Sequence, residues 1–230
     1  MDFLTKIFAF NTRLEAKTFG GRPGILHAGR HAEISCDNAF TKRIIIIDRS
    51  GSMNCTDYSP SRLQAAINAA VEYVMTLVEQ KTKSQVAVIS FGDDAKIVVP
   101  LTAINSYQII VNGIRSISIN GCTDIAAGLI LATELLAKCS DKHSQIILLT
   151  DGYGSCNLSI SEKLKREYKT TIDAIGIGGS PNDVDEPLLR QIATTDPDGA
   201  NHYRFIKDAH TLKQHYRQLA TGLVWKGSNR

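Results

Sequence analysis

No apolar stretch in this sequence approaches the roughly 20 residues that a helix needs to cross a bilayer, so no membrane span is expected. The five cysteines are odd in number and contain no Cys-x-x-Cys, which argues against both a disulfide framework and a zinc site. Charge of one sign is equally scarce. A formal +3, with no Lys/Arg block or basic run interleaved with aromatics, gives no reason to expect nucleic acid as a partner. The opening Met1-Asp2-Phe3-Leu4-Thr5-Lys6-Ile7-Phe8 lacks the basic region and continuous apolar core of a secretion signal. These absences together point to a cytoplasmic protein with reduced thiols. Its 230 residues, 43% apolar and 21% charged, fit one globular domain.

What is present is a regular alternation from Thr41 onward. Ile44 to Ile47 is an apolar run of strand length, and Gln85 to Phe91, Gln145 to Thr150 and Thr171 to Ile177 repeat the pattern. Tyr203 to Ile206 is a short final strand. Ala95 to Pro100 follows the second strand too closely for a helical crossover and is expected to run antiparallel to it. Between these lie helical spacings: a helix opened by Ser59-Pro60 and carrying Leu63, Ile67, Ala70, Val74 and Leu77, then Asn105 to Ser116. Asp124 to Lys138 is apolar nearly all round and is expected to be buried. Ser159-Ile160-Ser161-Glu162 reads as a capping box, Asp185 to Ala193 as a short helix, and Asp208 as the cap of a last helix reaching Leu223. Nearly continuous apolar strands alternating with helices predict a Rossmann-like, doubly wound α/β fold, with a mostly parallel sheet covered on both faces. Ligands of such sheets bind outside the carboxyl ends of the strands.

At the end of the first strand stands Asp48-Arg49-Ser50-Gly51-Ser52. Alternate residues of an extended strand lie roughly 6–7 Å apart, whereas ligands of one magnesium ion must sit at about 2.1 Å from it. Asp48, Ser50 and Ser52 can therefore share an ion only if the chain curls at once, a turn that Gly51 permits. Two further loops bring hydroxyl and carboxylate groups: Asn120-Gly121-Cys122-Thr123-Asp124 ahead of a helix, and Thr150-Asp151-Gly152 behind a strand.

With these elements in this order the chain resembles the von Willebrand factor A (VWA) family from about Thr41 to Leu223, with residues 1–40 as an N-terminal arm and 224–230 as a tail. The resemblance implies a six-stranded sheet of order 3-2-1-4-5-6 with one antiparallel edge strand. It also implies a metal-ion-dependent adhesion site made by Asp48, Ser50, Ser52, Thr123 and Asp151. Cys122 departs from the second glycine common in the family. An oxygen-only set with two carboxylates favours Mg2+, with Mn2+ or Ca2+ also accepted, and leaves the ion positive enough to seek an outside acid. In the family an Asp or Glu of a partner protein completes the shell. Gly51, Met53, Asn54, Cys122, Asp124, Gly152 and Tyr153 are then expected to form the contact rim.

Other readings compete with these. Asp48 and the serines could be an ordinary strand-end turn, and Thr123 or Asp124 a helix cap. A metal-dependent hydrolase is the rival function. The phosphatase pattern that begins with a strand-end aspartate needs a second acid where Ser50 stands, however, and a general base is hard to find. His143 and His202 precede strands, His210 and His215 fall in the last helix, and only His27 and His31 are unplaced. Gly176-Ile177-Gly178-Gly179 is weak as a phosphate loop. The sequence therefore reads as a binding module and not an enzyme. Phe3, Leu4, Ile7 and Phe8 form an apolar stripe that docks either on the domain itself or on a partner or membrane surface. Cys55, Cys122 and Cys156 are expected near the ion, where their oxidation would disturb its loops.

Overall fold

The computed structural model describes residues 41–140, 143–154 and 156–222. The N-terminal arm with its apolar stripe, His27 and His31, and the tail from Leu223 all lie outside the described residues. Strands β1 (Lys42–Asp48), β2 (Gln85–Phe91), β3 (Ala95–Ala103), β4 (Ser144–Thr150), β5 (Thr171–Ile177) and β6 (Tyr203–Ile206) form one sheet of order β3-β2-β1-β4-β5-β6. All pairs are parallel except β2 with β3. The helices are α1 (Arg62–Glu79), α2 (Tyr107–Arg115), α3 (Ile125–Ala137), α4 (Leu158–Glu167), α5 (Glu186–Ile192) and α6 (Ala209–Thr221).

The all-isoleucine centre of β1 shows why this chain makes a three-layer sandwich. Successive strand side chains point to opposite faces. Ile45 and Ile47 enter one core with α1, α2 and α6, while Ile44 and Ile46 enter a second with α3, α4 and α5. Every residue of β1 and β4 is buried, as expected of central parallel strands covered on both sides.

Helix starts differ from the sequence reading. The cap of α1 is Ser61, whose Oγ accepts from Gln64 N at 3.2 Å, so Ser59-Pro60 stay outside the helix. Asn157, not the Ser159–Glu162 box, caps α4, with its Oδ1 accepting from Ser159 N. In both cases a polar residue closer to the first free amide group wins. Helix α3 is less enclosed than its composition suggests: Ile125, Leu129, Ala132 and Leu136 are buried against the sheet, but Ile130 is 44% exposed. Asp208 caps α6 as expected, its Oδ1 accepting from Thr211 N at 2.8 Å.

A buried polar chain crosses the sheet near the starts of β1, β4 and β5. Arg43 donates to Tyr73 OH and Gln145 Oε1 at 2.8 and 2.7 Å, and Gln145 Nε2 donates to Asp173 Oδ2 at 2.8 Å. Asp173 Oδ1 then meets His202 Nδ1 at 2.8 Å, while His202 Nε2 lies 3.2 Å from Asp196 but off the hydrogen-bonding axis. The Asp173 hydrogen bond lifts the imidazole from its ordinary 6.5 to about 9. A raised folded value stabilises fully below the unfolded value and is lost as pH climbs through about 9. Between pH 6 and 9.5 the wild type should therefore lose roughly 2–3 kcal/mol that His202→Gln does not lose. Urea unfolding of both proteins at the two pH values checks this, and parallel pH profiles would refute it.

Candidate metal site at the carboxyl edge

Three loops meet where β1 and β4 end. At the end of β1, Asp48 has no solvent exposure; its Oδ1 accepts from Ser50 N at 2.8 Å and its Oδ2 from Thr150 Oγ1 at 2.6 Å. The chain then turns into a 3-10 helix, Gly51–Asn54, which brings Ser50 Oγ to 3.1 Å from Ser52 Oγ. That curl is what convergence requires. It does not need glycine, because Gly51 is outside the left-handed region and a Cβ there would meet only Gly121 O at 3.8 Å.

The loop before α3 is tied to the first by Gly51 N donating to Gly121 O at 2.9 Å and Asn120 N to Arg49 O at 2.7 Å. Gly121 itself sits at φ +78°, which glycine tolerates without strain. Cys122 N donates to Asp93 Oδ1 at 2.7 Å, an amide bond that holds this loop in place despite the cysteine. Asp124 is the cap of α3, accepting from Ala127 N at 3.2 Å, which leaves the neighbouring Thr123 free of that duty. The third loop closes on the second at Gly154, where a Cβ would fall 2.6 Å from Thr123 O and 2.7 Å from its Cγ2. Asp48, Ser50, Ser52, Thr123 and Asp151 are thereby placed on three loops that touch one another.

The electrostatics are uneven. Asp151 is 3% exposed, and its Oδ2 lies 3.2 Å from Arg62 of α1. Asp48 makes no ion pair among the described residues, and burial pushes its carboxyl up to about 6, partly offset by the Ser50 and Thr150 hydrogen bonds. A buried carboxylate with hydrogen-bond donors but no cation suits a cation supplied from outside. Among the described residues no three His, Cys, Asp or Glu side chains cluster into a metal cage. The donor set here is instead two carboxylates and three hydroxyls, hard oxygen ligands that fit Mg2+ in kind.

Parts of the expected rim are not at the surface. Met53 is fully buried in the core with α1, because the 3-10 turn rotates it inward, and Gly152 is buried with its α-carbon facing Asp185 N. Gly51, Asn54 and Cys122 are exposed, and Tyr153 is 62% exposed, its OH donating to Asn182 O. Burial and the Asp124 charge push the Cys156 thiol up to about 11, which makes it a poor nucleophile. Cys55 and Cys122 are both exposed.

Two residues of consequence were missed in the sequence. Thr150 orients Asp48 across the sheet, and nothing in a strand-terminal threonine announces that. Arg62 is different: a basic residue at the first position of a helix opposes the helix dipole, which hints at nearby acids. Its Nε and Nη2 atoms grip Asp57 at 2.9 and 2.6 Å.

No candidate base approaches the loops among the described histidines. His143 and His202 precede β4 and β6, at the opposite edge. His215 lies against Arg204, and burial drives its imidazole down to about 4. His210 lines a groove between α1 and α6 with Asn68 and Glu72.

Residues 44–153 match the family described as the von Willebrand factor type A domain. An uncharacterized protein of Synechocystis sp., sll0103, is 28% identical over 182 residues, covering 76% of this chain and 41% of that protein. The chain thus spans less than half the length of that curated relative. A von Willebrand factor type A structure from Catenulispora acidiphila superposes with a TM-score of 0.64 at 22% identity, over 80% of this chain and 42% of the other. The vWF domain of the type V pili tip protein Mfa5 from Porphyromonas gingivalis gives 0.67 at 13% identity, over 84% and 98%. These structural likenesses establish the same fold.

Proposed function

We propose that this chain is a von Willebrand factor type A domain protein, a non-enzymatic binding module that holds a divalent cation, Mg2+ in the first instance, and uses it to capture an Asp or Glu of a partner protein. The carrying observation is Asp48: a fully buried carboxylate, oriented by two hydrogen bonds, with no cationic partner among the described residues. Asp48, Ser50, Ser52, Thr123 and Asp151 would hold the ion, which would supply Lewis acidity toward an oxygen ligand. Because the hydroxyls are neutral and Asp151 shares its charge with Arg62, the site offers the ion little more than one full negative charge. An external carboxylate completes that balance.

The remaining rim supports contact with a protein: Asn54 and Cys122 are exposed on two of the loops, and Tyr153, two residues after Asp151, offers a large exposed aromatic face. No helix among the described residues is long and apolar enough to cross a membrane. The cytoplasmic setting belongs to the same reading, supported by the four unpaired thiols of the described residues. Affinity capture from a cell extract tests the module. The intact chain should retain a partner in Mg2+ and release it in EDTA, and Asp48→Ala should retain none. Equal capture by both proteins, regardless of EDTA, would show the ion to be irrelevant.

A further inference from the structure

Arg62 is a basic side chain in contact with a carboxylate of the ion site, and its surroundings are unusually acidic. It is 8% exposed, and its guanidinium is shared among carboxylates from three different loops. Asp57 takes the two-pronged share, accepting from Nε at 2.9 Å and from Nη2 at 2.6 Å. Asp151 takes the single Nη1 contact at 3.2 Å, and Asp183 Oδ2 stands 3.8 Å from Nη2. The helix dipole works against a cation at this position, so the acids, not the helix, keep it there. Gly179 lies against both acids, since a Cβ on it would stand 3.3 Å from Asp57 Oδ2 and 3.4 Å from Asp183 Oδ2.

We propose that Arg62 is a charge-setting residue for the ion site: it partly neutralises Asp151, so that a divalent ion binds weakly by itself and strongly only when an outside carboxylate completes its shell. This rests on the metal reading above. Arg62 holds Oδ2 of Asp151, which would leave Oδ1 to the ion. Asp57 is the counterweight, since the tighter it grips the guanidinium, the less positive charge reaches Asp151. The arrangement couples occupancy to partner binding without any moving part, because the same missing half-charge that weakens the bare ion strengthens its hold on an incoming acid.

Substitutions on the two sides of this balance move metal affinity in opposite directions. Titration calorimetry of the full chain with Mn2+ alone, no carboxylate present, reads it directly. Arg62→Gln should tighten Mn2+ binding on the order of tenfold, because Asp151 regains its charge in a site of intermediate dielectric. Arg62→Lys keeps the charge, if not the fork, and should stay within about threefold of the wild type. Asp57→Asn, at a partly exposed position, should weaken Mn2+ binding severalfold by turning the guanidinium onto Asp151. A purely structural arginine predicts otherwise. Weaker or unchanged binding in Arg62→Gln overturns the proposal, and so does an unaffected Asp57→Asn. Should Arg62→Gln fail to fold, Asp57→Asn decides alone. A wild type that binds no Mn2+ defeats the metal reading and this proposal with it, whereas a binding wild type with an untightened Arg62→Gln defeats only the role given to Arg62.

Discussion

Asp48→Ala should abolish divalent-ion binding while leaving the fold intact. The side chain sits at the last position of a central strand, where both cores are built from its neighbours Ile44 to Ile47 and not from the carboxylate itself. Alanine removes two accepted hydrogen bonds, from Ser50 N and Thr150 Oγ1, each worth about 1 kcal/mol net. It also removes a carboxylate that burial disfavours, so the two effects offset and the metal-free variant should unfold within a few degrees of the wild type. The ion is another matter. With Asp151 paired to Arg62, Asp48 is the ligand carboxylate without a cationic partner among the described residues, and its loss should weaken Mg2+ at least a hundredfold, following the cost of an unpaired divalent ion in a partly buried site. Linkage makes this visible without a partner. At an ion concentration a hundred times Kd the wild type gains about 2.7 kcal/mol, or roughly 5–10 °C in Tm for a chain of this size. Asp48→Ala should gain no more than about 0.4 kcal/mol at the same concentration. An equal thermal shift in both proteins would place the ion elsewhere.

The second large effect concerns loop convergence. A Cβ at Gly154 would lie 2.6 Å from the carbonyl oxygen of Thr123, an atom that cannot swing aside as a long side chain can. Gly154→Ala must therefore push the loop after β4 away from the loop before α3, separating Asp151 from Thr123. Ligand shells lose on the order of ten- to a hundredfold in affinity when their supports are displaced, and that is the loss expected here, with little change in stability because both loops are at the edge of the sheet. Gly51→Ala is the matched control. Its Cβ would meet only Gly121 O at 3.8 Å, an ordinary contact, so affinity should hold and stability should move by less than about 0.5 kcal/mol. Reversed outcomes, with Gly51→Ala losing the ion and Gly154→Ala keeping it, would mean that the ion rests on the first loop alone.

The strands of this chain were legible because parallel strands buried on both faces have no choice but continuous apolar sequence. Gln85 to Phe91, Thr171 to Ile177 and Tyr203 to Ile206 coincide with β2, β5 and β6, and the antiparallel β3 followed from the brevity of its connection. Helix starts were less so. Ser59, Ser61, Asn157 and Ser159 are chemically interchangeable caps, and only the entry direction of the chain decides which one reaches a free amide. The loops that carry Asp48, Thr123 and Asp151 could be found because each breaks an apolar run at the same edge. What faces what within them could not. Met53 goes inward because a 3-10 turn, not a glycine hinge, makes the bend. Thr150 acts through a contact 102 residues away in sequence, invisible to any local pattern. Arg62 alone left a trace, as a cation at the wrong end of a helix.

Capture of an outside carboxylate is the centre of this account, and a partner retained by the intact chain allows it to be tested one side chain at a time. Each Asp and Glu of that partner is changed to its amide, and binding is measured in Mg2+ and in EDTA. One substitution should reduce affinity in Mg2+ to the level seen in EDTA and make the two conditions indistinguishable. Binding that persists in EDTA, with no partner carboxylate required, would contradict the account.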